Sequence, residues 1–174
     1  MKKKKHPDKR RYKDKLKKKQ MKTLQEDERI RNKSFDKIEQ RLSEITDADL
    51  KIVRGTSHAS MSEALLEFAE PFMDAINTDD MEAYEKAVMT AIVLWNCAVM
   101  QGEKGKEKEI KKLLKPLMRD DEGKSIVRYM LDRKQEMFPN NNRYIVDYEL
   151  TDKGDGYHLS VASTIESESR SGDT

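Results

Sequence analysis

Five side chains in this sequence invite a chemical reading by type: His6, His58, His158, Cys97 and Asn96. A structural zinc needs four Cys or His ligands at close spacing, and one Cys with three scattered His offers none. A di-iron bundle needs Glu-x-x-His pairs on facing helices, and no histidine here has Glu three residues before it. The stretch Glu122-Gly-Lys-Ser125 resembles the end of a phosphate-binding loop, but Met118 stands where the loop's first glycine belongs. Gly154-Asp-Gly156 lacks the further glycines and following helix of a dinucleotide site, and the acidic ladder of a calcium loop is missing. No metal, cofactor or catalytic residue is therefore expected.

What remains are possible ligand or pocket residues. Cys97 sits among Leu94, Trp95, Ala98 and Val99, where a buried thiol is inert. Its neighbour Asn96 puts an amide into an apolar helix, and a buried amide must find either a structural hydrogen bond or a ligand. His58 lies in the loop Gly-Thr-Ser-His-Ala-Ser (55–60) with no evident partner. His158 lies in the second strand of a hairpin; if Leu150 faces Tyr157, it stands opposite Glu149 with Asp147 one pair further on. That geometry suits an acid/base couple, or a plain cross-strand charge pair on the wet side of the hairpin. The plain pair is the expectation.

These residues are positioned by helices. Phe35, Ile38, Leu42 and Ile45 share one helix face, which predicts a helix over 26–45 that can run back into the preceding basic segment. Like charges at i and i+4 there oppose its extension. Thr46 begins a second, short helix. Ser60 and Glu63 form a capping box for a helix striped by Met61, Leu65, Phe68, Phe72 and Ile76, which Pro71 should kink or split. Asp79 and Glu82 open a helix over 80–100 that is apolar nearly all round in its second half, as a central helix is. Its 14-residue run Ala87–Met100 is too short for the roughly 20 residues that span a bilayer. Beyond the break at Gly102 and Gly105, Ile110, Leu113, Leu114 and Leu117 face inward on one helix. Ile126, Val127, Met130, Leu131 and Met137 do so on the next.

After Asn140–Asn142 the period changes from 3.6 to 2. Tyr144, Val146, Tyr148 and Leu150 alternate on one strand and Tyr157, Leu159 and Val161 on another, with turn residues between. A lone hairpin is marginal in water, so its apolar face should lie on the helices. The expected fold is mostly α (α+β): a compact multi-helix bundle with a C-terminal two-stranded antiparallel β-hairpin packed on it. The domain spans 23–163, with the hairpin at 143–163, a disordered basic arm at 1–22 and a disordered acidic, Ser-rich tail at 164–174.

Charge divides the chain in the same way. Residues 1–22 hold 13 Lys or Arg against Asp8 and Asp14, so with a net charge of +2 overall the remaining 152 residues carry −9. A basic arm on an acidic body marks an interaction segment. Lys2, Lys3, Lys4, Lys5, Arg10, Arg11, Lys13, Lys17, Lys18 and Lys19 are the candidate contacts to RNA or DNA phosphates, through salt-sensitive and sequence-independent binding. Tyr12 is the arm's one aromatic residue, which leaves base stacking almost unsupported. Leu16 and Met21 are too few to anchor it in a membrane. The absence of an apolar leader segment and the single cysteine fit a cytoplasmic protein, or a nuclear one in a eukaryotic host.

The expectation is a small non-enzymatic protein that contacts nucleic acid or a ribonucleoprotein through this flexible arm. The first alternative is an adaptor whose Met-rich helical groove or hairpin edge binds a protein partner for the acidic body. The second is an enzyme of unrecognised type with a pocket near Asn96, His58 or His158.

Overall fold

A computed structural model describes residues 9–45 and 61–164; of residues 9–12, 14 and 45 it describes the backbone alone. The order is α1 (Lys9–Ile45), α2 (Met61–Met73), α3 (Met81–Met100), α4 (Glu107–Leu114), α5 (Asp121–Met137), β1 (Ile145–Asp152) and β2 (Tyr157–Ser163). The fold is therefore mostly helical, with the C-terminal antiparallel hairpin that the change of period predicts. The short helix expected after Thr46, the Ser60 cap, His58, Lys2–Lys5 and the acidic tail from Ile165 lie outside the described residues.

The core is built around α3. Trp95, Leu94 and Val88 are fully buried against Leu65 and Phe68 of α2 and Met130 of α5, and Phe68 meets Trp95 edge-on with ring centroids 5.4 Å apart. Asp80, not Asp79, caps α3, because its Oδ1 accepts from the N–H groups of Glu82 and Ala83. Pro71 sits in the last turn of α2, which ends two residues later. A proline has no N–H to give the carbonyl four residues back. Arg133 of α5 donates instead, from Nη2 to the Glu67 carbonyl at 2.8 Å. On α5 the inward face is Val127, Met130 and Leu131, while Ile126 and Met137, expected inside, are exposed. Leu113 of α4 is likewise exposed.

Two features of the hairpin differ from the simple alternating pattern. Leu150 pairs with Leu159, Tyr148 with Val161 and Asp152 with Tyr157, so the register is two residues from that expected. Asp152 continues the ladder, and the loop shrinks to four residues closed by the Lys153 N–H donating to Gly156 O. Gly154, at φ +83°, takes the left-handed conformation that this tight loop requires. Parity survives the two-residue slip, so the same side chains face the core. A bulge between Ile145 and Asp147 then turns Val146 out to solvent, and Ile145 takes the buried place expected for Val146.

The second feature is that the hairpin has no wet side. α1 lies across the face opposite the core and packs on both strands. Ile38 is fully buried there with Ala162 and Ser160, outside the main core cluster. Three layers result: α1, the hairpin, and the α2–α5 bundle. Phe35 and Leu42 are half-buried beside Ile38, so the predicted stripe on α1, apart from Ile45 whose side chain is outside the described residues, has the sheet as its partner.

Candidate nucleic-acid interface

α1 has two parts. Its C-terminal part is tied to the hairpin by charge. Arg41 donates from Nε to Asp147 at 2.9 Å, from Nη1 to Glu149 at 2.7 Å and from Nη2 to the Tyr148 carbonyl at 2.7 Å. Lys37 adds a bond to Glu149, Ser34 meets Thr151 hydroxyl to hydroxyl at 3.2 Å, and Asp27 pairs with Lys153. Burial alone would raise the pKa of Glu149, but the Lys37 and Arg41 bonds outweigh it and hold the carboxyl below its ordinary range.

Asp27 is the most N-terminal residue of α1 with a side-chain tie to the rest of the fold among the described residues. Residues 9–26 continue beyond it as helix for about 27 Å, at 1.5 Å per residue. Lys13 and every side chain from Lys15 to Glu26 is exposed. The helix predicted over 26–45 thus does run back into the basic segment, as far as Lys9 among the described residues. Lys and Arg are good helix formers, and here that propensity, in continuity with the docked turns, outweighs repulsion along the arm.

Of the candidate contacts, Lys13, Lys17, Lys18 and Lys19 stand on this exposed stretch, and Arg10 and Arg11 belong to its helical backbone. At 100° per residue, Lys15, Lys18, Lys22, Arg29 and Lys33 fall within an arc of about 60°, roughly 140° from the face docked on the hairpin. Arg29 and Lys33 lie outside the basic segment that composition marks. The 3- and 4-residue spacing that links them to the arm was legible, but composition drew the boundary at residue 22. Beside them, between α1 and β1, an open cleft of about 230 Å³ is lined by Arg29, Lys33, Lys37, Glu26, Ser34 and Thr151.

Of the three possible pocket residues, His58 lies outside the described residues, and Asn96 and His158 do not converge. Asn96 spends its amide on one backbone unit: Nδ2 donates to Ile145 O and Oδ1 accepts from Ile145 N–H, both at 2.9 Å. His158 stands opposite Thr151, not Glu149, and lies beneath α1. The two are on opposite faces of the hairpin, about 20 Å apart along it at 3.3 Å per residue. Burial lowers the pKa of His158 and nearby Lys153 lowers it further, while its buried Nε2 has no hydrogen-bond partner among the described residues. Burial pushes the Cys97 thiol up to about 11, so it is protonated at neutral pH. Among the described residues, no group of three His, Cys, Asp or Glu side chains is placed to hold a metal, and no helix is long and apolar enough to cross a membrane.

Two further features bear on protein partners. The outer edge of β1 is covered at Ile145 by Asn96 and at Tyr148 by Arg41, with the Tyr148 N–H bonded to Asp147. Among the described methionines, Met61, Met100 and Met130 are in the core, Met73 packs half-buried against it, and Met21, Met81, Met89, Met118 and Met137 are exposed. No known protein family matches this chain, and no curated protein or solved structure matches it either.

Proposed function

We propose that this is a small, non-enzymatic, cytoplasmic protein that contacts nucleic acid or a ribonucleoprotein through the basic N-terminal end of α1, without strong sequence readout. The observation that supports this reading is the exposure of Lys13 and of every side chain from Lys15 to Glu26, beyond the last described tie to the fold at Asp27.

The energetics point the same way. Lys13 and Lys17, Lys15 and Lys19, and Lys18 and Lys22 are like-charged pairs at i and i+4, each costing a few tenths of a kcal/mol. The first turn of α1 contains no acidic residue to offset the helix dipole. A polyanion relieves both penalties, and condensed counterions released from it supply the driving force. An adaptor that used the outer edge of β1 would have to displace Asn96 and Arg41, which makes that alternative the weaker one.

The test compares the full chain with one beginning at Thr23, in nucleic-acid binding across a salt series. With about five phosphate contacts, log K should fall against log salt with a slope of roughly −4 to −5, and the shortened chain should lose binding. Equal and negligible binding by both would reject this function and direct attention to protein partners of the acidic body.

A further inference from the structure

We infer that the basic surface of α1 continues past its projecting end onto the docked helix as one row, Lys15, Lys18, Lys22, Arg29 and Lys33, and that the ligand lying along it is a nucleic-acid duplex. The inference rests on the nucleic-acid reading and extends it to residues outside the arm and to one class of ligand.

The first argument concerns which cations are free. From Lys37 onward, the cations of α1 that face the hairpin are spent on it: Lys37 on Glu149, Arg41 on Glu149 and Asp147. Arg29 and Lys33, two turns and one turn earlier, are exposed and make no ion pair with described residues. The row is thus open to an external anion as far as Lys33 and closes where internal carboxylates begin. Glu26 flanks the row between Lys22 and Arg29, and Asp36 lies in line with it one turn beyond Lys33.

The second concerns shape. From Lys15 to Lys33 the row is about 27 Å long, most of one duplex turn of about 34 Å. A fixed straight line of cations complements a ligand that is itself stiff, and duplex DNA stays straight over about 150 base pairs. Single strands are held by aromatic platforms, and no described residue of α1 from Lys13 to Lys33 is aromatic.

The third concerns the opposite face. Lys13 and Lys17 stand almost opposite the row, so near its free end α1 carries cations on two sides. A helix 10–12 Å across fits a B-form major groove about 12 Å wide, where both groove walls are phosphate. At Arg29 and Lys33 the other side of α1 is covered by the hairpin. Only the free end can enter the groove, and these two residues meet the phosphate backbone at its rim.

The experiment uses the full chain and a DNA duplex of about two turns, with a single strand of equal length beside it. Duplex should bind more tightly than single strand. The double variant Arg29→Gln/Lys33→Gln should keep the wild-type helical signal and cooperative unfolding, yet weaken duplex binding and reduce the salt slope by about 2, one per lost phosphate contact. Wild-type affinity and slope in that variant, alongside weakened binding by Lys13→Gln/Lys17→Gln, would confine the contact to the projecting end; this inference then fails while the proposed function stands. A single strand bound as tightly as the duplex would overturn the ligand class. No binding by the unaltered chain would overturn both readings.

Discussion

Arg41 and Glu149, 108 residues apart in sequence, are joined Nη1 to Oε2 at 2.7 Å, and the same guanidinium also holds Asp147 and the Tyr148 carbonyl. One side chain thereby satisfies two half-buried carboxylates and part of the outer edge of β1. A fork of this kind holds α1 in register on the strand, since a planar guanidinium fixes angle as well as distance.

Replacing Arg41 with Ala should lower stability by about 1–2 kcal/mol in urea unfolding, a figure discounted because the side chain is partly exposed. Arg41→Lys should recover less than half of the loss, because a point charge cannot serve three acceptors in one plane. Glu149 has a folded-state pKa below its unfolded value. Its contribution is therefore present above the unfolded pKa and is lost as the pH falls through the folded one. Wild-type protein should lose α1 docking in that acid range, and Glu149→Gln should flatten this part of the profile. A wild-type profile in the glutamine variant would show that the pair contributes nothing to docking.

Asn96→Ala should cost about 2–3 kcal/mol, because the N–H and C=O of Ile145 are then left unpaired in a partly buried site. Asn96→Asp keeps the acceptor but sets a carboxylate against the Ile145 carbonyl, and should be no better than Ala at neutral pH. Thermal unfolding of the two variants decides this; a loss below about half a kcal/mol would show that water replaces the amide.

Gly123→Ala reverses the usual helix rule. Alanine normally stabilises a helix by about 1 kcal/mol over glycine, yet a Cβ here would lie 2.2 Å from the Leu117 carbonyl oxygen. Backbone must move to admit it. A net loss of roughly 1–3 kcal/mol is expected, as for other overpacked sites. A stabilised variant in chemical denaturation would refute the close approach. The glycine that resembled part of a phosphate loop is there to let two backbone segments pass.

His158 gives a second pH signature. Its folded-state pKa lies below the unfolded value near 6.5, so the unfolded chain binds the proton first on acidification. Its contribution is complete above that value and is lost as the pH falls from about 6.5 to the folded pKa. The charged groups around it are Lys153 and, on α1, Asp27 and Arg31. His158→Gln should remove the dependence in this window and leave the more acidic one due to Glu149. Unfolding midpoints near neutral and mildly acidic pH test it; an unchanged difference in the glutamine variant would assign the dependence elsewhere.

Much of this architecture was legible in the sequence because each element obeys one period. Val88, Leu94 and Trp95 announce a central helix, and Tyr148, Leu150, Leu159 and Val161 a strand pair with one apolar face. The register was not legible, because Asp152 and Lys153 serve equally as turn or strand and only packing decides. The covered face of the hairpin was hidden for a related reason. Asp147, Glu149 and Thr151 read as solvent-facing, and nothing local shows that Arg41 and Lys37 lie over them. The candidate interface was legible as charge and as a segment into which the helix could run; how far the helix reaches was not, because repulsion between like charges at i and i+4 argued against extension.

The layering also carries a temporal consequence. Every tie that docks α1 reaches across more than 100 residues, from Asp27–Lys153 to Arg41–Asp147. On a ribosome adding about 5–20 residues per second, the basic helix emerges some 5–20 seconds before the strands it will lie on. Through that interval α1 is a nascent cationic segment with no sheet to rest on. Docking of the C-terminal part of α1 therefore waits for the last strand, and Ile38, fully buried in the finished fold, stays uncovered until the hairpin closes.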